Sequence, residues 1–119
     1  MAFDADLLLR DGASALSASE TNAAGVDVGV NLVPRVVEVY VPSVSGTSPT
    51  LTVKIQESDD NSTWQDYASF PQITTAGRYY LTVQSNARYL RYHATVGGTS
   101  PNFGNTVIGI VPAGRYTSW

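Results

Sequence analysis

Along much of the chain, apolar and polar side chains take turns. Leu51, Val53 and Ile55 alternate with Thr52, Lys54 and Gln56, while Leu90, Tyr92, Ala94 and Val96 alternate with Arg91, His93 and Thr95. Successive side chains of an extended chain point to opposite faces, so a period of two marks a strand with one buried face. On that basis Leu90, Tyr92, Ala94 and Val96 face a core, and Tyr89, Arg91 and His93 face outward. Val37, Val39 and Val41 share one face of another strand, with Val36, Glu38 and Tyr40 on the other. Tyr79 to Val83, Thr106 to Val111 and Thr63 to Phe70 read as further strands, rich in the β-branched and aromatic residues that suit a pleated surface. Pro34 and Pro42 bracket the valine strand, where a missing N–H does no harm. Reversals at Asp59-Asp60-Asn61-Ser62, Pro71 to Gly77 and Ser85-Asn86-Ala87 carry turn chemistry. Turn signals recurring about every ten residues predict a sandwich or barrel.

The first third of the chain is less patterned. Leu7-Leu8-Leu9 and Val26-Asp27-Val28 read as short strands, whereas Ala13 to Ala24 is small and polar. A helix over Ala13 to Glu20 would expose serine on most faces and bury little, so a weak edge strand running into a loop is expected there. The string Gly46-Thr47-Ser48-Pro49 returns as Gly98-Thr99-Ser100-Pro101. Both copies read as strand-connecting loops, Ser43–Thr50 and Gly97–Gly104, because Gly, Ser and Pro are default turn residues. The expectation is an all-β chain: an antiparallel β-sandwich of about eight strands, with an N-terminal arm over 1–12 and a single domain over 13–119.

Composition narrows the chemistry. The chain has 119 residues, enough for one core and not for two. Cysteine is absent and His93 is the single histidine, which excludes disulfides, thiol catalysis and imidazole-rich metal centres. A formal charge of −3 argues against a phosphate-gripping surface, so no nucleic-acid partner is expected. No apolar run approaches the roughly 20 residues of a membrane helix, and the acidic start, Asp4 and Asp6, is unlike a basic secretory leader.

Candidate motifs each have a plain structural reading. Ser58-Asp59-Asp60-Asn61-Ser62-Thr63-Trp64 clusters oxygens that suit Ca²⁺, yet lacks the glycine and closing glutamate of an EF-hand loop. It is also similar to the Asp-box hairpin, a structural turn, with the glycine missing and one residue fewer; a turn with Trp64 tucked beneath it is expected. Glu57 with Asp66 would be the carboxylate pair of a glycosidase, but short loops offer no cleft for them. There is no nucleophile elbow or phosphate loop, and nothing marks a serine to pair with His93. No enzyme activity, cofactor or metal is expected. Phe3 and Trp119 sit near chain ends that ordinarily fray, so each must dock on its own domain or on a neighbour.

Met1 to Gly12, Thr50 to Asp60 with Thr63-Trp64, Phe70-Pro71-Gln72-Ile73-Thr74 and Gly97-Gly98-Thr99-Ser100-Pro101-Asn102-Phe103 resemble small head proteins of tailed bacteriophages, especially those of actinobacterial hosts. The resemblance covers most of the chain and lies in style and strand pattern. It implies a capsid decoration, or cement, protein with a jelly-roll-like sandwich, made in the bacterial cytoplasm. Such a protein sits on the capsid exterior, commonly as a trimer at local three-fold positions. The expected partners are the major capsid protein and further copies of the chain. The expected contact residues are Phe3, Leu7, Leu8, Leu9 and Arg10 in the arm, Pro49, Pro101 and Phe103 in the loops, and Tyr116 and Trp119 at the end. Two other expectations stand beside it. A carbohydrate-binding or host-attachment module would expose Trp64, Tyr89 or Trp119 on one face; a minor tail or neck component would be present in few copies.

Overall fold

The structure, a computed structural model, describes residues 8–28, 35–84 and 86–111. Eight strands appear in chain order: β1 (Leu8–Asp11), β2 (Val26–Asp27), β3 (Arg35–Val41), β4 (Ser45–Ser58), β5 (Gln65–Ser69), β6 (Gly77–Val83), β7 (Tyr89–Asn102) and β8 (Val107–Val111). They form two four-stranded sheets, ordered β1-β8-β3-β6 and β2-β7-β4-β5. Every pairing is antiparallel. The pairs are nested: β4 with β5, β3 with β6, β2 with β7 and β1 with β8, as in a long hairpin rolled onto itself.

The alternation read from the sequence decides which side chains fill the space between the sheets. Val37, Val39 and Val41 of β3 and Ile108 and Ile110 of β8 share one cluster with Leu51, Val53 and Ile55 of β4 and Leu90, Tyr92 and Ala94 of β7. Leu9 of β1 and Val83 of β6 join it, with Phe103, Leu16, Phe70 and Ile73, all from connections. Full burial of an aliphatic side chain contributes about 1.5–3 kcal/mol, so this cluster is the main source of stability.

Three sequence expectations need correction. Residues 8–11 are not part of an arm: they are β1, paired with β8, and Leu9 lies in the core. Residues 1–7 lie outside the described residues.

Second, the polar stretch after β1 is a strap along the open edge of β7. Leu16 exchanges backbone hydrogen bonds with Phe103 and Gly104, and Glu20 bonds both backbone groups of Ala94. The Ser19 hydroxyl accepts from the Val96 N–H, and β2 then pairs with Tyr89 and Leu90. An uncovered edge invites pairing with other chains; here backbone satisfaction, and not an apolar face, fixes the segment, which is why its hydrophobic pattern is faint. Phe70 and Ile73 cover the facing edge of β4 in the same way, through bonds to Val53 and Leu51.

Third, the two Gly-Thr-Ser-Pro strings are not loops. They are the paired ends of β4 and β7, each fourteen residues long.

Candidate functional site

The far end of the β4–β7 ribbon is built from the two copies of the Gly-Thr-Ser-Pro string. Thr47 pairs with Thr99, Ser45 with Asn102 and Thr50 with Gly97, with a register shift on either side of the threonines. The paired threonines occupy the same place in the two copies of the string, so a local two-fold axis passes between them and exchanges one copy for the other. The backbone obeys it. Gly46 and Gly98 have φ of 110° and 107°, and Ser48 and Ser100 both have φ of 49°. A Cβ on Gly46 would lie 2.6 Å from the Ser100 carbonyl oxygen, and one on Gly98 2.6 Å from that of Ser48. Each glycine therefore seats against the serine-proline step of the opposite strand, a close approach that only a residue without Cβ allows. This places Pro49 and Pro101, two expected contact residues, together on the ribbon, both half-buried. The bulges and prolines blunt both ribbon edges against strand addition.

Charge is divided between the ends of the same ribbon. From Val39 to Val53 and from Ala94 to Val111 the chain carries no charged residue. Ser45 to Ser48 and Gly98 to Ser100 are exposed. The other end gathers Lys54, Glu57, Asp59, Asp60, Asp66, Arg88 and Arg91. There the turn after β4 is built as expected. One Asp60 oxygen accepts from the N–H groups of Ser62 and Thr63 at 2.9 Å and from the Ser58 hydroxyl. Asn61 takes the left-handed conformation, φ 59°. Those bonds, the Thr63 N–H foremost, hold the Asp60 carboxyl below its ordinary range. Trp64 is half-buried beneath it, with the Arg91 guanidinium 4.4 Å from its ring centre. Arg91 donates to Gln56 at 2.7 Å, and Gln56 to Asp66 at 2.9 Å. A Cβ on Gly25 would lie 2.7 Å from the outer carbons of the indole, so the strap also closes on Trp64. Tyr89 is half-buried with Arg88 5.5 Å from its ring centre. Neither aromatic is the open platform a sugar-stacking role for Trp64 or Tyr89 requires.

The remaining expected contact residues separate. Phe103 is fully buried and Leu9 is 7% exposed, so both pack their own domain and offer nothing to a partner. Leu8 is half-buried beside Arg10. Phe3, Leu7, Tyr116 and Trp119 lie outside the described residues. Arg10, 6% exposed, is an internal pin. Its Nε and Nη2 donate to the two Glu20 carboxylate oxygens at 2.9 and 3.1 Å, and its Nη1 to the carbonyls of Thr106 and Ser14. The Tyr92 hydroxyl donates to the same Glu20 at 2.6 Å. The strap is thereby tied to β1, β7 and the β7–β8 connection. Hydrogen bonding from Arg10, opposed by burial and helped by Tyr92, keeps the Glu20 carboxyl below its usual range. Burial, then the Glu20 carboxylate, pushes Tyr92 up to about 12. Sequence reading missed this triad because Arg10 and Glu20 look like solvated charges until the fold brings them together.

Glu57 and Asp66 do not form a pair. Asp66 lies opposite Gln56 in the register, which turns Glu57 to the other face of the sheet, where it accepts from Gln65. On the other sheet Glu38, fully buried, pairs with Arg78, whose guanidinium stands 4.3 Å from the Tyr40 ring centre. Its second oxygen has no hydrogen-bond partner. Among the described residues no three His, Cys, Asp or Glu side chains are grouped to hold a metal. No protein-family model matches the chain, and a search of curated proteins finds no match.

Proposed function

We propose that the chain is a structural virion protein that binds the outer surface of a tailed-phage capsid and stabilises it. The nested strand pairing is, in this reading, the jelly-roll winding that the sequence resemblance implies. The observation that carries the proposal is the uncharged, backbone-locked end of the β4–β7 ribbon. Docking such a surface desolvates hydroxyls and prolines but no ion, and the centres of protein interfaces are depleted in charge for that reason. The local two-fold adds rigidity, since each strand holds the other, so little conformational entropy is lost on contact. Lattice binding multiplies modest contacts: an oligomer, taken here as a trimer at a local three-fold position, engages several shell subunits at once.

The test mixes purified protein with undecorated capsids of its own phage and measures co-sedimentation. Saturable pelleting at a fixed ratio to the capsid protein, in hundreds of copies per particle, is expected. Protein that stays in the supernatant, or that saturates at about a dozen copies as a neck or tail component does, overturns the proposal. Thr47→Glu with Thr99→Glu, at exposed positions, places charge on the docking end and should weaken binding by at least about tenfold.

A further inference from the structure

We infer that the cleft between β5 and the β6–β7 connection is a binding site for a neutral carbohydrate, with Tyr67 as its stacking platform. This goes beyond the capsid reading and does not rest on it. The cleft has a volume of about 490 Å³, inside the range of about 300–1,000 Å³ common for small-molecule sites. It lies at the charged end of the molecule, where Tyr67 of β5 reaches Gln84, the residue after β6.

Three observations converge on Tyr67. It is the one exposed large hydrophobic side chain among the described residues, at 36%. It is also the extra residue of a β-bulge: Ile55 pairs with Ala68 and Gln56 with Asp66, which leaves Tyr67 without an opposite number. A bulge on an edge strand re-aims the side chain that it carries. Finally, the ring is held by its far end, because the Tyr67 hydroxyl accepts the Gln84 backbone N–H at 2.9 Å across the cleft. The ring is thus anchored at its hydroxyl and partly exposed beside the cleft.

The other polar groups around it are three carboxylates, Glu57, Asp59 and Asp60, with three amides and two hydroxyls, and no basic residue is among the lining. That set repels phosphate and other anions. It suits a ligand whose hydroxyls both donate and accept and whose C–H face lies flat on a ring, which is the chemistry of a sugar. Gln65 already donates to Glu57 at 2.8 Å, so the acceptors are pre-positioned.

The experiment follows backbone amides of the full chain by NMR during separate titrations. The probes are cellohexaose, maltohexaose and chitohexaose, and, apart from them, calcium chloride and inorganic phosphate. Saturable shifts at Gln65, Tyr67 and Gln84 with at least one oligosaccharide are expected. Tyr67→Ala should weaken that binding by about tenfold, and Tyr67→Phe, which keeps the ring, by about threefold or less. Gln65→Ala, on the exposed rim, serves as a second variant and should weaken it several-fold. No saturable shift with any oligosaccharide, binding indifferent to Tyr67→Ala, or shifts with calcium or phosphate alone would each overturn the inference. None of these results bears on capsid co-sedimentation, so the two readings fail separately.

Discussion

The two ends of the β4–β7 ribbon are built from the same pair of strands by different means. At the neutral end the shape is written into the backbone: two glycines at positive φ, two serines in the left-handed region and two prolines, related by a local two-fold. At the charged end the shape depends on side chains: Asp60 holds its turn, and Arg91 links Trp64 to Gln56 and Asp66. Backbone-locked structure answers to sterics and is indifferent to salt and pH. Side-chain networks at the surface are screened and individually weak. A rigid, ion-free end suits permanent contact, and a polar, adjustable end suits solvent and small ligands.

The comparison breaks most visibly at its glycines. Gly98→Ala puts a methyl 2.6 Å from the Ser48 carbonyl oxygen at a φ of 107°, and strain of this kind costs about 1–3 kcal/mol before the clash is added. A loss of about 3 kcal/mol or more in urea unfolding is expected, unchanged between low and high salt. Gly46→Ala should match it, because the two sites are related by the local axis. Unequal effects would show that the symmetry is cosmetic.

Next comes the pin beneath the strap. Glu20→Ala leaves the Arg10 guanidinium buried without its carboxylate. A fully buried pair broken this way costs about 3–5 kcal/mol; with Glu20 at 33% exposure the expected loss is about 2–3 kcal/mol. The same triad sets the pH limits. Glu20 has a folded pKa below its ordinary 4.5, so its contribution is complete above about pH 4.5 and is lost as pH falls through the lower folded value. Tyr92 is raised from 10.0 to about 12, so its contribution is complete below pH 10 and fades as pH climbs toward 12. Stability against pH should form a plateau with both shoulders; Tyr92→Phe should remove the alkaline shoulder and, because its hydroxyl also helps lower the Glu20 carboxyl, weaken the acid one.

Smaller effects belong to the charged end. Arg91→Ala removes the cation–π contact with Trp64, worth about 0.5–1 kcal/mol, and that loss should shrink at high salt, unlike the loss from Gly98→Ala. Asp60→Ala is expected to leave global stability nearly unchanged while amide exchange at Ser62 and Thr63 accelerates, since their N–H groups lose their acceptor.

The strands were legible where burial is one-sided. Leu51-Thr52-Val53-Lys54-Ile55 and Leu90 to Val96 announce their faces, and the core forms from the faces they announce. The same rule misplaces the Gly-Thr-Ser-Pro strings, because a double bulge uses the residues that a turn uses. Only the pairing partner distinguishes them, and a partner fifty positions away is not local information. Glu38 hides for a similar reason: among valines it reads as the solvent side of β3, yet that side is buried as well. Ala13 to Ala24 is opaque because its order comes from backbone bonds, from Leu16 and from the Glu20 pin, and none of these produces a period. Tyr67 looked like any strand aromatic until the register exposed the bulge.

Hydrogen–deuterium exchange on the capsid-bound protein puts the central division to its most direct test. Protection gained on binding should concentrate at 45–50 and 97–102, with 59–66 and 86–88 exchanging as in the free chain. Protection confined to the charged end, with the Thr47–Thr99 ribbon unchanged, would contradict the account.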